Sequence, residues 1–171
     1  MLLEETLKVM IQMKLSEDYK KKLILNFFIF FSIVIFDQLT KKYLLFDIGL
    51  NNSKPFIPGL VQFTVVQNTG GAFSILKQYP IFFQLIGLIN ILIFSYLTFC
   101  PVVSLNNVIK TGCACILGGT TGNLIDRIVH NGVIDFFDLQ FFNFAVFNLA
   151  DVFIDIGVVL IIIGWFLTKN K

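Results

Sequence analysis

Four long stretches of the chain consist almost entirely of apolar residues, and shorter polar segments separate them. A helix needs about 20 mostly apolar residues to cross the hydrocarbon core of a membrane. Since each stretch is long enough, the pattern predicts an all-α membrane protein that crosses the membrane four times. The predicted helices run from Leu23 to Phe46, from Tyr79 to Cys100, from Val108 to Val129 and from Phe144 to Thr168.

Lysines indicate how these helices are oriented. An even number of crossings places both ends of the chain on one side, and lysines concentrate before the first predicted helix and after the last. Because lysine favours the cytoplasmic side, both termini are predicted to be cytoplasmic. Residues 1–22 then form a cytoplasmic amino-terminal extension, either a surface helix or a solvated segment, and residues 23–168 form one membrane domain.

The connection between the first two predicted helices has a different pattern. Val61, Phe63 and Val65 alternate with polar residues, and the glycines Gly70 and Gly71 follow. This pattern predicts a short strand and a tight turn. The topology places both on the outer side of the membrane.

Composition agrees with a membrane protein. Of the 171 residues, 56% are hydrophobic, and the mean hydropathy is +0.82, whereas soluble domains are about 45–50% apolar. A net charge of +2 with scattered lysines gives no indication of a nucleic-acid surface. Cys100, Cys113 and Cys115 lie in or beside apolar segments and are interpreted as small buried hydrophobes. With His130 as the only histidine, no metal site is predicted.

Polar residues inside the predicted helices converge near the outer side. Seven residues share this level: Asp37 and Lys41 in the first helix, Asn123, Asp126 and Arg127 in the third, and Asn148 and Asp151 in the fourth. Unpaired polar groups are costly at membrane depth, so a network that points into the bundle is expected. The four-residue spacing of Asp37 and Lys41 favours an ion pair over direct chemistry. Arg127 has three possible partners: a substrate carbonyl, a lipid headgroup or Asp126.

Glycines of the third predicted helix belong to the segment GGTTGNLIDR. Small residues allow membrane helices to approach closely. The segment therefore predicts tight packing of this helix against its neighbours.

Asp135 and Asp138 lie in the short connection between the third and fourth predicted helices. Apolar residues flank Asp135, which predicts a partly desolvated carboxyl with a raised pKa. Asp135 and Asp151 are therefore a candidate pair whose carboxyls share one proton. One would act as a base on water and the other as an acid on a scissile carbonyl, as in aspartic proteases.

Two other functions stay open at this point, a proton or ion pathway and a scaffold whose polar network only joins helices. A pathway should distribute polar groups through the whole membrane. The cytoplasmic halves of the third and fourth predicted helices contain little beyond Lys110 and Asp155. This distribution favours a one-sided pocket.

Five motifs resemble those of the lipoprotein signal peptidase family, also called signal peptidase II. They are DQLTK, NTGGAF, GGTTGNLIDR, GVIDFFD and FNLAD, and they occur in the order of that family between Leu23 and Thr168. Gly71 stands where the family usually has alanine or valine. The resemblance implies a four-helix membrane bundle with a small outer-side β-cradle that contains Phe63 to Asn68. It also implies an aspartic endopeptidase without cofactor or metal, which cleaves just before the lipid-modified cysteine of a prolipoprotein.

The resemblance further implies roles for ten residues. Asp135 and Asp151 would be catalytic. Two other groups follow: Asn68, Gly70, Asn123, Arg127 and Asn148 would line the substrate site, and Asp37, Lys41 and Asp126 would give structural support. The protein would act as a monomer in the bacterial cytoplasmic membrane, among membrane lipids, with its site near the outer face. Asp155 matches no position with an assigned role, and its replacement is expected to matter far less than that of the pair.

Overall fold

The computed structural model of the chain describes residues 5, 17–70 and 79–169. These residues form, in chain order, α1 (Glu17–Asp47), β1 (Ser53–Ile57), β2 (Val61–Asn68), α2 (Pro80–Phe99), α3 (Asn107–His130), β3 (Val133–Leu139) and α4 (Leu149–Lys169). Most of the amino-terminal extension lies outside the described residues. The same holds for the turn predicted at Gly71.

Within the part of the chain that the structure describes, three helices are long and apolar enough to cross a membrane: α1, Ile81–Phe99 within α2, and α4. Their outward faces expose large apolar side chains, such as Phe28 on α1 and Leu92 on α2. The mostly helical membrane fold predicted from the sequence is therefore confirmed, and a crossing by α3 stays a prediction.

The more polar helix α3 lies at the centre of the bundle. It packs against α1, α2 and α4, and half of its 24 residues are buried. A polar side chain on such a helix meets protein partners rather than lipid.

Glycines allow α3 to approach its neighbours closely, as predicted. A Cβ atom on Gly112 would lie 2.6 Å from the carbonyl oxygen of Gly157 on α4. A Cβ atom on Gly118 would lie 2.9 Å from the Cβ atom of Ile33 on α1. Both distances are shorter than van der Waals contact, so a larger residue would push the helices apart.

A three-stranded antiparallel sheet, in the order β1-β2-β3, covers one end of the bundle. Its apolar core consists of Leu44 of α1 together with Val65, Ile134 and Phe136. We call this end of the bundle, where α1 ends and α4 begins, the sheet end. The sequence predicted a strand only around Val61 to Val65, and the sheet adds β1 and β3 to it.

The last helix begins at Leu149, so the prediction that it begins at Phe144 is wrong. The reason is a competing set of backbone hydrogen bonds. The carbonyl oxygen of Phe147 accepts bonds from the amides of Phe136 and Phe137, and the amide of Phe147 donates to the carbonyl of Phe137. Backbone groups bound to β3 are not available for a helical turn.

Candidate active site

Asp135 lies on β3 at the sheet end, and its side chain is almost fully buried, with 3% exposed. The amide nitrogen Nδ2 of Asn148 donates to Oδ1 of Asp135 at 2.6 Å, and Nδ2 of Asn68 donates to Oδ2 at 3.1 Å. Asn68 reaches this carboxyl because it ends β2, the neighbouring strand. Strand pairing therefore brings Asn68 and Asp135 together from distant parts of the sequence.

Asp151 lies in the first turn of α4 and forms a reciprocal cap with Asn148. The main-chain amide of Asn148 donates to Oδ2 of Asp151, and the amide of Asp151 donates to Oδ1 of Asn148, both at 3.1 Å. This pattern is a capping box, which satisfies amides that a helix start leaves unpaired. Asn148 therefore precedes the helix as its cap, whereas the sequence predicted that it lies within the fourth helix.

Two asparagines connect the carboxyls of Asp135 and Asp151. Nδ2 of Asn123, on α3, donates to Oδ1 of Asp151 at 2.8 Å. Nδ2 of Asn148 donates to Oδ1 of Asn123 at 3.0 Å as well as to Asp135. The two carboxyls thus belong to one hydrogen-bonded chain whose members come from β3, α3 and the start of α4.

The electrostatic surroundings of Asp135 favour its protonated form. Burial raises the pKa of this carboxyl to about 7, and the nearby Asp151 carboxylate adds to the effect. The hydrogen bonds from Asn148 and Asn68 act in the opposite direction but are weaker. Near neutral pH, Asp135 can therefore either hold or release a proton.

Beneath this chain, a buried lysine joins two further carboxylates. Nζ of Lys41 lies 2.8 Å from Oδ2 of Asp37 and 2.8 Å from Oδ2 of Asp126. It also donates to Oδ1 of Asn123 at 3.0 Å. The ion pair predicted from the spacing of Asp37 and Lys41 is present. Lys41, rather than Arg127, neutralises Asp126.

The same two carboxylates hold the backbone that carries the candidate pair. Oδ1 of Asp37 accepts a bond from the amide of Ala150 at 3.1 Å, and Oδ2 of Asp126 accepts one from the amide of Ile134 at 3.1 Å. Ala150 and Ile134 directly precede Asp151 and Asp135. The lysine-centred network therefore positions both elements of the site.

Gln38 belongs to this network although the sequence did not single it out. Its Nε2 atom donates to Oδ1 of Asp126 at 2.9 Å, to Oδ2 of Asp37 at 3.1 Å and to the carbonyl of Gly122 at 3.1 Å. The only feature of the sequence that could have identified Gln38 as part of this network is its position directly after Asp37. Adjacent residues on a helix point in different directions, so that signal was weak.

Arg127 and Gly70 border the pair. Nη1 of Arg127 donates to the carbonyl of Asn123 at 3.2 Å, and its guanidinium lies 5.5 Å from the centre of the Phe83 ring. The amide of Gly70, a buried residue, donates to Oδ1 of Asn68 at 3.0 Å. Arg127 has no carboxylate within ion-pair distance in the described part of the chain, so its donors can serve a bound molecule.

A cavity of about 420 Å³ opens beside the candidate pair. Its polar surface comes from both carboxyls together with Asn68, Asn123 and Arg127. The remaining walls are mostly apolar: Val133, Leu139, Phe142, Phe144, Ala145, Val146 and Phe147, with Asp155 as a further polar residue. Such a cavity can hold a peptide segment with apolar groups beside two acids.

The donor set does not resemble a metal centre. Among residues 5, 17–70 and 79–169, no group of three or more histidine, cysteine, aspartate or glutamate side chains is placed to hold a metal ion. The chemistry available within these residues is that of paired carboxyls.

We predict that Lys41→Met will strongly destabilise the protein. The variant leaves Asp37 and Asp126 buried without their cation, which should lower the free energy of unfolding by about 3–5 kcal/mol. Lys42→Met is the matched control, since Lys42 is exposed and should change stability by less than about 0.5 kcal/mol. Unfolding by heat or by denaturing detergent in micelles measures both. Equal unfolding midpoints for the two variants would contradict the role given to Lys41.

Several known proteins are similar to this chain. The model of the family described as signal peptidase II matches residues 29–167. The chain is 38% identical over 139 residues to the lipoprotein signal peptidase of Lactobacillus johnsonii, covering 81% of this chain and 90% of that protein. It is 39% identical over 133 residues to that of Streptococcus pyogenes, covering 77% and 86%.

A solved structure described as a bacterial membrane enzyme is also similar. Its TM-score is 0.76 at 32% sequence identity, and the match covers 85% of this chain and 90% of that chain. A second structure with the same description has a TM-score of 0.72 at 31% identity, covering 82% and 91%. Since the family match, the relatives and the fold agree, this chain is a member of the signal peptidase II family of membrane proteases.

Proposed function

We propose that this protein removes the signal peptide from prolipoproteins whose lipobox cysteine carries diacylglycerol, by cutting just before that cysteine. The observation that carries the proposal is the hydrogen-bonded chain from Asp135 through Asn148 and Asn123 to Asp151, beside a cavity with apolar walls. Two carboxyls in one water-poor site are the requirement of an aspartic protease. The family of the chain supports the same reaction.

In the proposed mechanism the two carboxyls have different roles. Asp135, with its raised pKa, keeps its proton and donates a hydrogen bond to the scissile carbonyl oxygen. Asp151 acts as the base and takes a proton from a water molecule, whose oxygen attacks the carbonyl carbon. When the tetrahedral intermediate collapses, the carbon–nitrogen bond breaks and the proton that Asp151 took from the water passes to the leaving amine. No covalent intermediate forms between enzyme and substrate.

The neighbouring residues then orient the pair and bind the peptide. Asn123 and Asn148 hold the carboxyls in place through their side-chain amides. Arg127 and Asn68 line the cavity and would bind backbone carbonyls of the substrate. Gly70 allows the peptide to pass close to the main chain.

Asp37, Lys41 and Asp126 form the supporting network proposed for them. This role follows from their bonds to the segments that carry the pair. They lie beneath the pair and bind protein groups, so they are not proposed to contact the substrate.

The fold and the charges support a proposal for the membrane arrangement. We infer that α3 crosses the membrane together with the three apolar helices, because it lies between them. Residues 23–168 would then be a multi-pass peptidase domain of the bacterial cytoplasmic membrane, with residues 1–22 as a cytoplasmic extension. Lysines near both termini favour cytoplasmic ends. The sheet end, with the active site, would face outward, and the monomer would suffice because both carboxyls belong to one chain.

Replacement of either catalytic carboxyl should abolish cleavage. We expect Asp135→Asn and Asp151→Asn to lower kcat/KM for a lipidated precursor by about 1,000-fold or more, because an amide can neither accept the water proton nor donate one as an acid. Asp47→Asn is the matched control, since Asp47 is exposed and pairs with Lys54. Thermal unfolding of each purified variant separates loss of catalysis from loss of fold. Rapid turnover by a folded Asp151→Asn enzyme would disprove the assignment.

The pH dependence should reflect the acid role of Asp135. Its folded pKa is raised to about 7, so the protonated acid is lost as the pH rises through that value. We therefore expect kcat/KM to fall above about pH 7, approaching tenfold per pH unit. Initial rates of precursor cleavage across a series of buffers test this. Activity that increases above pH 7 would assign Asp135 the role of base instead.

The lipid on the substrate should also increase the rate of cleavage. We expect a diacylglyceryl-modified precursor to be cleaved more than about tenfold faster than the same unmodified peptide, since acyl chains place the cysteine at the membrane and bind apolar surface there. The measurement compares kcat/KM for both peptides in the same lipid nanodiscs. Equal rates would contradict the substrate class.

A further inference from the structure

Asp155 is an acid on α4 that the proposed mechanism does not use. It lines the same cavity as Asp135 and Asp151, and its side chain is exposed. Within the described part of the chain it forms no hydrogen bond or ion pair. Its carboxyl is therefore available to a molecule that enters the cavity.

The other acids at this depth have protein partners. Asp37 and Asp126 share Lys41, and Asp151 is bonded to Asn123 and Asn148. An ionisable group in a membrane helix is costly and usually marks a functional position. Asp155 differs from these other acids because it has no hydrogen-bond or ion-pair partner among the described residues.

The position of Asp155 places it along the path of the substrate. Asp151, Asp155, Ile162 and Phe166 are spaced by four, seven and four residues, which places them on one face of α4. Ile162 and Phe166 line a second, apolar cavity of about 610 Å³ between α4 and α3. The face thus leads from the catalytic pair past Asp155 into apolar surface suited to the hydrophobic segment of a signal peptide.

The depth of Asp155 determines which residues of a bound signal peptide would contact it. Four residues of helix rise about 6 Å, so Asp155 lies that far from Asp151 toward the cytoplasmic end. An extended peptide covers this distance in about two residues and a helical one in about four. In the proposed orientation, residues before the cleaved bond lie on this side.

We propose that Asp155 is a specificity-determining residue, which accepts a hydrogen bond from a hydroxyl or amide side chain two to four residues before the cleaved bond. The inference rests on the proposed function, because it needs a signal peptide in the cavity. A donor on the substrate would satisfy the carboxyl, whereas an apolar side chain of the same shape would bury it unpaired. The enzyme should therefore prefer threonine to valine at one of these positions.

The test is a double-mutant cycle in which one residue of the substrate and one residue of the enzyme are varied, with the full-length protein in lipid nanodiscs. Lipidated precursors carry threonine or valine at the second, third or fourth residue before the cleaved bond, and each is cleaved by the wild type and by Asp155→Val. At one position, we expect the ratio of kcat/KM for threonine over valine to be about tenfold higher in the wild type than in the variant. Asp155→Asn, which keeps an acceptor oxygen, should retain part of this preference.

A control variant distinguishes substrate recognition from a general effect on the helix. Ile156→Val alters an exposed residue of α4 on a different face and should leave the ratio unchanged. A ratio that is equal in the wild type and in Asp155→Val at all three positions, with normal cleavage, overturns this inference alone. Failure of the wild type to cleave any lipidated precursor overturns the proposed function and this inference with it.

Discussion

The site depends on one buried ammonium group. Nζ of Lys41 lies within 2.8 Å of carboxylates from α1 and α3, and either carboxylate would be costly to bury without it. Those carboxylates in turn accept hydrogen bonds from the amides of Ala150 and Ile134, the residues just before the candidate pair. The charge therefore does more than join two helices, because it sets where β3 and α4 can lie. The polar groups of this lysine-centred network are acceptable at membrane depth, since each of them serves as a partner for another.

The surroundings of the two carboxyls proposed to be catalytic explain how they can differ in protonation. Both accept bonds from asparagine amides, which hold them in place without supplying a full positive charge. Asp135 is nearly fully buried and its pKa is raised to about 7, with Asp151 contributing to the rise. Asp151 lies at the start of α4, where the helix dipole favours a negative charge. An acid and a base can therefore form from two identical side chains, as the proposed hydrolysis requires.

Helix α3 allows a polar network to exist inside a bundle whose outer surface is apolar. Glycine at Gly112 and Gly118 lets α4 and α1 lie close to it, and close packing excludes lipid from its polar residues. The exposed apolar side chains belong largely to the other three helices. Because α3 lies inside the bundle while the other three helices form its apolar outer surface, α3 can have a more polar sequence than its neighbours. The predicted crossing from Val108 to Val129 is accordingly less apolar than the other three, and within the described residues only those three have the length and hydropathy of a spanning helix.

The sequence by itself determined the properties that depend on neighbouring residues: apolar length, the pairing of Asp37 with Lys41 across one helical turn, and the motifs that place the chain in its family. Most of the helices and most of the polar residues around the cavity could be predicted from these, but its apolar walls could not. Only the tertiary structure decided that β3 joins the sheet, that Asn148 caps α4 and bonds to Asp135, and that Lys41 also reaches Asp126. Each of these results depends on which backbone and side-chain groups meet after packing. Since every buried polar group must find a partner, the final hydrogen bonds are chosen by the whole fold rather than by local sequence.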